Sequence, residues 1–372
     1  MEKPMNVFKL EEYLTKYEFS SQYLLCCSDA ESFKMSTIIE MATAEEHKMW
    51  DNLSLQYTEP YGHPLLRQKI SELYPGLSYE NILCFAGAEE GIFCALSCLI
   101  QKNDHVITLT PCYQSLLEIP KSKSADVTEI ELQEENNWQI DLDLIRKAIK
   151  PNTKCIVINF PHNPTGQIIE ENQLKSLIEL CEHHDIWLFS DEVYRLLGPS
   201  KNEGTTPAAC LWSKGLSLGV MSKSFGMPGL RIGWIACQNK TMLHQMKLMK
   251  DYLSICNSAP SEILSLIALT HREEILKRNN KIVSDNLKIL DQFFLEYHHL
   301  FEWVRPKGGC VGFVKYKSPE SVDSFCDRLL KKKNVLLLPA SVYDYHGNHF
   351  RIGFGRKNMP ECLDRLKEFL ND

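Results

Sequence analysis

Several kinds of segment are missing from this chain of 372 residues, and each absence excludes a class of protein. No stretch approaches the roughly 18 apolar residues that cross a bilayer, and the longest apolar run, residues 91–100, is interrupted by Ser97. We therefore expect no association with a membrane. The first 20 residues carry both charge signs and no apolar h-region, which disfavours secretion and predicts a cytoplasmic protein.

An excess of positive charge is also missing. Lys and Arg total 41 against 48 Asp and Glu, a net charge of −7, so we expect no nucleic-acid partner bound through bulk charge. Gly (18) and Pro (17) are not enriched and 44% of residues are hydrophobic, which argues against disorder. At about 100–200 residues per domain, the length predicts two domains.

Cysteine spacings typical of metal-binding or redox-active sites are absent as well. Fourteen cysteines are present, but none form a C-x-x-C pair. Cysteines such as Cys94 and Cys181 lie inside apolar stretches, so we interpret them as reduced thiols that pack as small hydrophobic side chains. The histidine pairs 183–184 and 298–299 lie on predicted helices, where adjacent residues point in different directions, and we assign no metal.

Short apolar runs alternate with helical patterns through the middle of the chain. The runs are nearly continuous, as in strands covered on both faces of a mostly parallel sheet, and amphipathic patterns at 141–149 and 170–184 predict helices. This order indicates an α/β fold. The predicted strands are residues 82–86, 106–110, 155–160, 186–190, 216–221 and 232–237.

The pattern changes after about residue 240. A long amphipathic helix is predicted at 276–300, followed by a compact α+β segment. That segment has predicted strands at 311–316, 335–338 and 350–354 and predicted helices at 321–332 and 359–370. We predict a large domain at 40–270 and a small C-terminal domain at 271–372, with residues 1–39 packing on the small domain.

Lys223 is the first residue with a chemical interpretation. It follows an apolar strand in GVMSKSFGMPGLRIGW, where Ser222 and Gly226 allow close approach of a ligand. Most lysines are solvated, but burial lowers the pKa of an amine and makes it a nucleophile able to form a Schiff base. Arg231, eight residues later, carries a guanidinium suited to phosphate.

Two segments place polar side chains after predicted strands. Asn163 lies in NFPHNPTG, and Asp191 and Tyr194 lie in SDEVY. Taken alone, NFPHNPTG could be an ordinary turn between a strand and a helix, and Asp191 could be a helix N-cap. The alternative for Asp191 is a carboxylate that pairs with a ring nitrogen and keeps it protonated. Ligands bind at the carboxyl edge of parallel sheets, so we expect these side chains to meet Lys223 there.

A third segment is suited to an anion. Gly87, Ala88 and Glu89 follow the predicted strand at 82–86 and open a helix. Free N–H groups and the helix dipole at such a turn bind phosphate.

Together, NPTG, SDEVY and SK-x-F-G-x-P-G-L-R-x-G-W resemble the fold-type I enzymes that depend on pyridoxal 5′-phosphate (PLP), specifically the class I and II aminotransferases. The resemblance extends from about Tyr57 to Arg351. It implies PLP as cofactor, a large domain with a mostly parallel sheet flanked by helices, and a smaller α+β domain formed by the C-terminal part and the N-terminal segment, as in aspartate aminotransferase.

The resemblance implies a role for each matching residue. Lys223 holds PLP as a Schiff base, Asp191 pairs with the pyridine nitrogen, and Tyr113 stacks on the ring. Asn163 and Tyr194 bind the phenolic oxygen. The phosphate lies in a cup formed by the backbone of Gly87, Ala88 and Glu89 together with Ser222 and Arg231.

It also implies how substrate and subunits meet. Arg351, in HFRIGFG, binds the substrate carboxylate together with Asn163. Tyr57 reaches the phosphate of a neighbouring subunit, so a homodimer is expected. One departure is Val220, where the family commonly has Ser or Gly. A second departure is residues 26–31, CCSDAE, in place of a Gly-containing substrate loop.

Three functions are compatible with these residues. Transamination between an amino acid and a 2-oxo acid leads, with Lys223 as the base that moves the Cα proton. The alternative is another PLP-dependent reaction on an amino acid, such as β-lyase, cyclase or racemase chemistry. A non-enzymatic sensor is third, and no appended DNA-binding segment is recognised to support it.

Asp29 and Glu31 raise a question of substrate class. Two acids near a substrate site could recognise a cationic side chain, as in a basic amino acid. Solvated loop or cap residues are the more common explanation for such carboxylates. Both interpretations stay open at this point.

Overall fold

The structure is a computed structural model that describes residues 4–199 and 205–372. The first three positions of the predicted N-terminal segment 1–39 thus lie outside the described residues. The helices are α1 (Lys9–Tyr17), α2 (Met35–Glu40), α3 (Ala44–Asp51), α4 (Pro64–Ser71), α5 (Ala88–Leu99), α6 (Ser115–Ser122), α7 (Leu142–Ala148), α8 (Glu171–His183), α9 (Ala208–Leu211), α10 (Lys240–Lys250), α11 (Ala259–Thr270), α12 (Arg272–Glu296), α13 (Val322–Lys333) and α14 (Met359–Asn371).

The strands fall into three sheets. In chain order they are β1 (Tyr23–Leu24), β2 (Ile82–Phe85), β3 (His105–Thr110), β4 (Asp126–Glu131), β5 (Thr153–Asn159), β6 (Trp187–Asp191), β7 (Gly215–Val220), β8 (Gly233–Cys237), β9 (Phe301–Trp303), β10 (Val311–Tyr316), β11 (Val335–Leu336), β12 (Leu338–Pro339) and β13 (His349–Gly353).

The largest sheet has seven strands in the order β2-β8-β7-β6-β5-β3-β4. β8 runs antiparallel to β2 and β7, and the other neighbouring pairs are parallel. In β5, Cys155 and Val157 join one apolar cluster, whereas Ile156 and Ile158 join a second cluster. Successive strand residues face opposite sides of a sheet, so both faces are covered. The predicted α/β fold with a mostly parallel, helix-flanked sheet is confirmed.

The edge strand β4 was not predicted from the sequence. Most residues of Asp126–Glu131 are at least partly exposed, and only Ile130 is buried. An edge strand pairs on one side only, so it needs no continuous apolar run. Its polar sequence, DVTEIE, therefore gave no signal of the kind that identified its buried neighbours.

The C-terminal part forms a four-stranded sheet in the order β12-β13-β10-β9, with antiparallel neighbours. The prediction of one strand at 335–338 was wrong in detail. The chain divides at Leu337 into β11, which pairs in parallel with β1, and β12, which pairs with β13. The pairing of Tyr23 with Val335 attaches the N-terminal segment to the C-terminal part.

Helix α12 contacts a loop beside the seven-stranded sheet and a loop beside the four-stranded sheet. It begins and ends four residues earlier than the predicted 276–300. Asn279 donates to the carbonyl of Ser224 at 2.9 Å, and Asn286 donates to the carbonyl of Phe354 at 3.0 Å. The helix thus fixes the segment after β7 relative to the segment after β13. The division into 1–39, 40–270 and 271–372 stays a prediction.

A search of the described parts of the chain for a helix both long and apolar enough to span a bilayer found none.

Candidate active site

A cavity of about 480 Å³ lies at the carboxyl ends of β5, β6 and β7, a volume in the usual range for small-molecule sites. The structure brings most of the predicted site residues together in its wall. Those residues are Ala88, Glu89, Tyr113, Asn163, Asp191, Tyr194, Ser222, Lys223, Arg231 and Arg351.

The sheet register aligns two of the predicted strand ends. Asn159, the last residue of β5, lies opposite Asp191, the last residue of β6. The Asn159 amide donates to the Asp191 carbonyl at 3.0 Å, and its Oδ1 accepts the backbone N–H of Asn163 at 2.9 Å. Asn159 was not predicted as a site residue, although it lies in the same NFPHNPTG segment. It holds the start of the Asn163 loop against the end of β6.

Asp191 is a buried carboxyl group in the cavity wall, with 4% of its surface exposed. Its Oδ1 accepts the backbone N–H of Val193 at 3.2 Å. Burial raises the pKa of Asp191 to about 7, while that hydrogen bond and Lys223 act in the opposite direction. A buried carboxyl of this kind is suited to a ligand that brings its own positive charge, such as a protonated ring nitrogen.

Lys223 lies in the same wall, three residues after β7 ends at Val220. Burial lowers the pKa of its amine, and Asp29 and Asp191 partly oppose that shift. The Nζ atom donates to Ser28 Oγ at 2.9 Å, and the Tyr194 hydroxyl donates to the Ser28 carbonyl at 2.7 Å. Ser28 was not predicted, and it positions both groups from the N-terminal segment.

The predicted phosphate cup is formed by glycine and a helix end. Gly87 directly precedes α5 and has a φ of +98°. Because glycine has no side chain, no side chain at this N-cap position accepts the first N–H groups of the helix. A Cβ atom at Gly87 would overlap the Arg231 guanidinium, so close approach requires glycine there. Ser222 and Arg231 line the cavity beside this turn, and Val220 does too. The donors offered here are uncapped N–H groups, a hydroxyl and a guanidinium.

Arg351, on β13, is 2% exposed and is fixed by neutral acceptors. Its Nη1 donates to the Tyr343 hydroxyl at 2.7 Å and to Asn163 Oδ1 at 3.2 Å, and its Nη2 donates to the Cys26 carbonyl at 2.8 Å. Among the residues that the structure describes, no carboxylate forms an ion pair with Arg351. Its positive charge is therefore available to a carboxylate ligand.

Two predicted residues occupy other positions. Gly87 contacts Arg231 but does not itself line the cavity. Tyr57 is 83% exposed and lines a separate groove with Glu59 and Ala259. Tyr57 thus does not reach the cavity of its own chain, and the predicted action across a subunit interface stays a prediction.

The acids Asp29 and Glu31 already have partners. Both Asp29 oxygens accept from Arg356 Nη2, at 3.0 and 2.9 Å, and Glu31 Oε2 accepts the backbone N–H of Lys357 at 2.9 Å. Asp29 and Arg356 line the cavity, whereas Glu31 does not. These two carboxylates are therefore engaged in fixing the N-terminal segment to the C-terminal part.

Helix α1 was not predicted as part of the site. Leu10, Glu11, Leu14 and Glu18 line the cavity, and the Tyr113 hydroxyl donates to Glu11 Oε1 at 3.4 Å. The sequence carried no motif for these residues. The helix reaches the cavity through contacts with residues about 100 or more positions away.

The residues present fit PLP. The cup at Gly87, Ser222 and Arg231 offers donors to a phosphate. The buried carboxyl of Asp191 suits a protonated pyridine nitrogen, and the amine of Lys223, whose pKa is lowered by desolvation, suits an aldehyde.

Comparison with known proteins gives the family. The sequence model described as "Aminotransferase class I and II" matches residues 23–366. Capreomycidine synthase from Streptomyces vinaceus is 26% identical over 286 residues, covering 76% of this chain and 73% of that protein. Aspartate aminotransferase from Pyrococcus horikoshii is 27% identical over 331 residues, covering 84% and 83% respectively.

Among solved structures, a PLP-dependent aminotransferase from Streptococcus suis aligns with a TM-score of 0.92 and 33% identity, covering 99% of this chain and 98% of that chain. The family match includes the whole cavity lining except the part contributed by α1, which lies before residue 23.

Proposed function

This chain belongs to the class I and II aminotransferases, a family of PLP-dependent enzymes, and we propose that it transfers an amino group from an amino acid to a 2-oxo acid. One observation carries the proposal: a partly buried amine, a buried carboxyl and a guanidinium without an ion-pair partner face the same cavity. They belong to Lys223, Asp191 and Arg351.

The proposed cofactor-binding residues are those that the sequence resemblance implies, and most of them line this cavity. PLP, when bound, acts as an electron sink that stabilises negative charge at the substrate Cα. Lys223 is the proposed covalent attachment point and Asp191 the proposed partner of the ring nitrogen. Asn163 and Tyr194 serve the phenolic oxygen, and Tyr113 packs on the ring face. The backbone of Gly87, Ala88 and Glu89 holds the phosphate together with Ser222 and Arg231.

Lys223 also moves the proton in this proposal. Its lowered pKa favours a neutral amine, which can accept the proton from the substrate Cα and deliver it elsewhere. Arg351 and Asn163 hold the substrate carboxylate, so that the Cα proton is presented to Lys223 Nζ. Asp191 keeps the ring nitrogen protonated while negative charge develops.

We also propose a homodimer, because exposed apolar side chains lie in the segment of Tyr57 and in a second segment that contacts it. Leu55 is 87% exposed and Tyr252 is 91% exposed. Thr58 Oγ1 donates to the Asn257 carbonyl at 3.1 Å, so the segment of Tyr57 lies beside the segment after α10. Apolar patches of this kind mark protein interfaces. The cytoplasm stays the proposed location, since all cysteines are free thiols.

The alternative is another PLP-dependent reaction of an amino acid, such as elimination, cyclisation or racemisation. The similarity to capreomycidine synthase, named as a synthase, favours keeping it. The residues that bind the cofactor serve both reactions equally, so only the fate of the amino group distinguishes them.

A half-reaction experiment separates the two functions. Purified holoprotein is mixed with single amino acids without an acceptor, and the cofactor spectrum and the products are followed. We expect one equivalent of 2-oxo acid and an amine-loaded cofactor whose original spectrum returns when a 2-oxo acid is added. Continuous release of ammonia and 2-oxo acid without an acceptor, or cyclised or racemised product, would contradict transamination.

A further inference from the structure

One face of α1 is directed toward the cavity. Glu11 and Glu18 lie seven positions apart and line it together with Leu10 and Leu14, and residues at such spacings share one side of a helix. Glu18 follows the last helical residue and keeps helical φ and ψ values of −60° and −46°. The neighbouring Glu12 is exposed and does not line the cavity.

The helix is fixed from both sides of the cavity mouth. On one side, the Gln114 amide donates to the Val7 carbonyl at 2.8 Å, and Gln114 Oε1 accepts the Lys9 N–H at 2.9 Å. On the other side, the Tyr13 hydroxyl donates to the Leu337 carbonyl at 3.0 Å. The two carboxylates are therefore held at the mouth of the site.

Neither Glu11 nor Glu18 has an ion-pair partner among the described residues. Within residues 4–199 and 205–372, no lysine, arginine or histidine forms an ion pair with Glu11 or Glu18. Burial raises the pKa of Glu18; Asp29 and Glu11 add to that shift, whereas Arg356 and Lys223 oppose it without forming an ion pair with Glu18. Arg356 itself pairs with Asp29. The carboxylates thus repel one another across the mouth, and a bound cation would relieve that repulsion.

Glu89 adds a third carboxyl group in the same wall. Its Oε2 atom is buried and has no hydrogen-bond partner among the described residues. Burial raises the pKa of Glu89, and Glu11 adds to that shift. A buried oxygen without a donor has lost its water without a replacement. A ligand with several N–H groups could supply that donor.

The opposite charge lies elsewhere in the same cavity. Arg351 is 2% exposed, lines the cavity, and has a buried Nε atom without a partner among the described residues. The cavity therefore offers a cation for a carboxylate and separate carboxylates for a positive group. An amino acid with a neutral or acidic side chain would leave the carboxylates of α1 unpaired.

We propose that the amino-acid substrate carries a cationic side chain, a guanidinium or an ammonium, and that Glu11 and Glu18 of α1 recognise it. This inference rests on the proposed function, because it places the substrate in the same cavity. It assigns the recognition of positive charge to α1, since Asp29 and Glu31 are paired with Arg356 and the Lys357 backbone.

Binding of unreactive acids to the holoprotein tests this. The probes are 5-guanidinopentanoate, 6-aminohexanoate and heptanoate, which lack an α-amino group and so cannot transfer one. Calorimetry should show at least about tenfold tighter binding of one cationic probe than of heptanoate. The cationic probe that binds more tightly shows whether the site prefers a guanidinium or an ammonium. Each of E11Q and E18Q should reduce that ratio by about threefold to fivefold, as for partly exposed ion pairs.

The control is E12Q, which removes an exposed charge next to Glu11 and should leave the ratio unchanged. Heptanoate should bind all variants equally. Three results would overturn the inference. The first is a ratio of cationic-probe to heptanoate affinity near one in the wild type, and the second is the wild-type ratio retained in the double variant E11Q/E18Q. The third is tighter binding of pentanedioate than of both cationic probes. If neutral amino acids transfer their amino group while the ratio is one, the proposed function holds and only the substrate class fails. If no amino acid transfers its amino group, the proposed function fails, and with it the inference.

Discussion

The floor and the roof of the cavity are built in different ways. The floor consists of Asn163, Asp191 and Lys223, which follow or end the neighbouring strands β5, β6 and β7. The roof consists of α1 with residues 26–31. Sheet register fixes the floor, as in the pairing of Asn159 with Asp191. Side-chain contacts fix α1, such as that between Gln114 and Val7, 107 positions apart.

In our proposals the floor holds the reacting groups, whereas the roof selects the side chain of the substrate. The floor lies at the carboxyl edge of the parallel strands β5, β6 and β7, where ligands bind in such sheets. The family match covers the floor and begins at residue 23, after α1. Replacements in α1 can therefore change which side chain is accepted while the reacting groups stay in place.

The largest expected effect comes from the floor. The K223A variant should lose at least about 1000-fold in turnover with every donor, because in the proposed function one amine both holds the cofactor and moves the proton. Steady-state rates with several donors measure this. K240A, at an exposed lysine paired with Glu80, is the control and should keep the wild-type rate. A K223A rate within tenfold of wild type would show that the floor is not the reacting part.

A smaller effect concerns the stability of the cofactor-free protein. Burial raises the pKa of Asp191 to about 7 in the folded state, whereas an unfolded Asp has a pKa of about 3.9. The folded state thus holds this proton more tightly, and its contribution to stability is lost as pH rises through about 7. Asparagine does not titrate, so the stability gain of D191N over wild type should grow by a few kcal/mol between pH 4 and pH 8.

Unfolding of the cofactor-free proteins at both pH values measures this difference. The control is D143N, which removes an exposed carboxyl near the start of α7, and the pH-dependent gain of D191N should exceed that of D143N. If the difference in unfolding free energy between D191N and wild type were equal at pH 4 and pH 8, folding would not raise the pKa of Asp191.

The smallest expected effect belongs to the roof. Y13F removes the hydrogen bond from α1 to the Leu337 carbonyl and should lower the free energy of unfolding by about 1 kcal/mol. Turnover with a saturating donor should stay within about twofold, since the floor is untouched. Thermal melts and rates measure both, with the half-exposed Tyr79 as the control variant Y79F. A loss of turnover comparable to that of K223A would abolish the distinction between floor and roof.

The floor could be predicted from the sequence because its signals are local. Asn163, Asp191 and Lys223 each follow within three residues of an apolar run, and such runs identify buried parallel strands. Parallel strands bring their carboxyl ends to one edge, so strand order along the chain was enough to bring these residues together. Their individual roles stay predictions.

The roof could not be predicted in the same way. Glu11 lies on a short helix and Glu18 directly follows it. The position of that helix depends on Gln114 and Leu337, and no local pattern reports such distant contacts. Ser28 is an ordinary serine in the sequence and becomes a partner of Lys223 only through the fold. The edge strand β4 was missed for a related reason, since its polar residues follow from its position at the sheet edge.

The most direct test of the central claim is to locate the cofactor on the chain. Holoprotein is reduced with borohydride, digested, and the peptides are weighed by mass spectrometry. The cofactor mass is expected on the peptide that contains Lys223. Its presence on Lys250, the buried lysine whose Nζ donates to the carbonyls of Pro60 and Cys84, or on no lysine, would contradict the account.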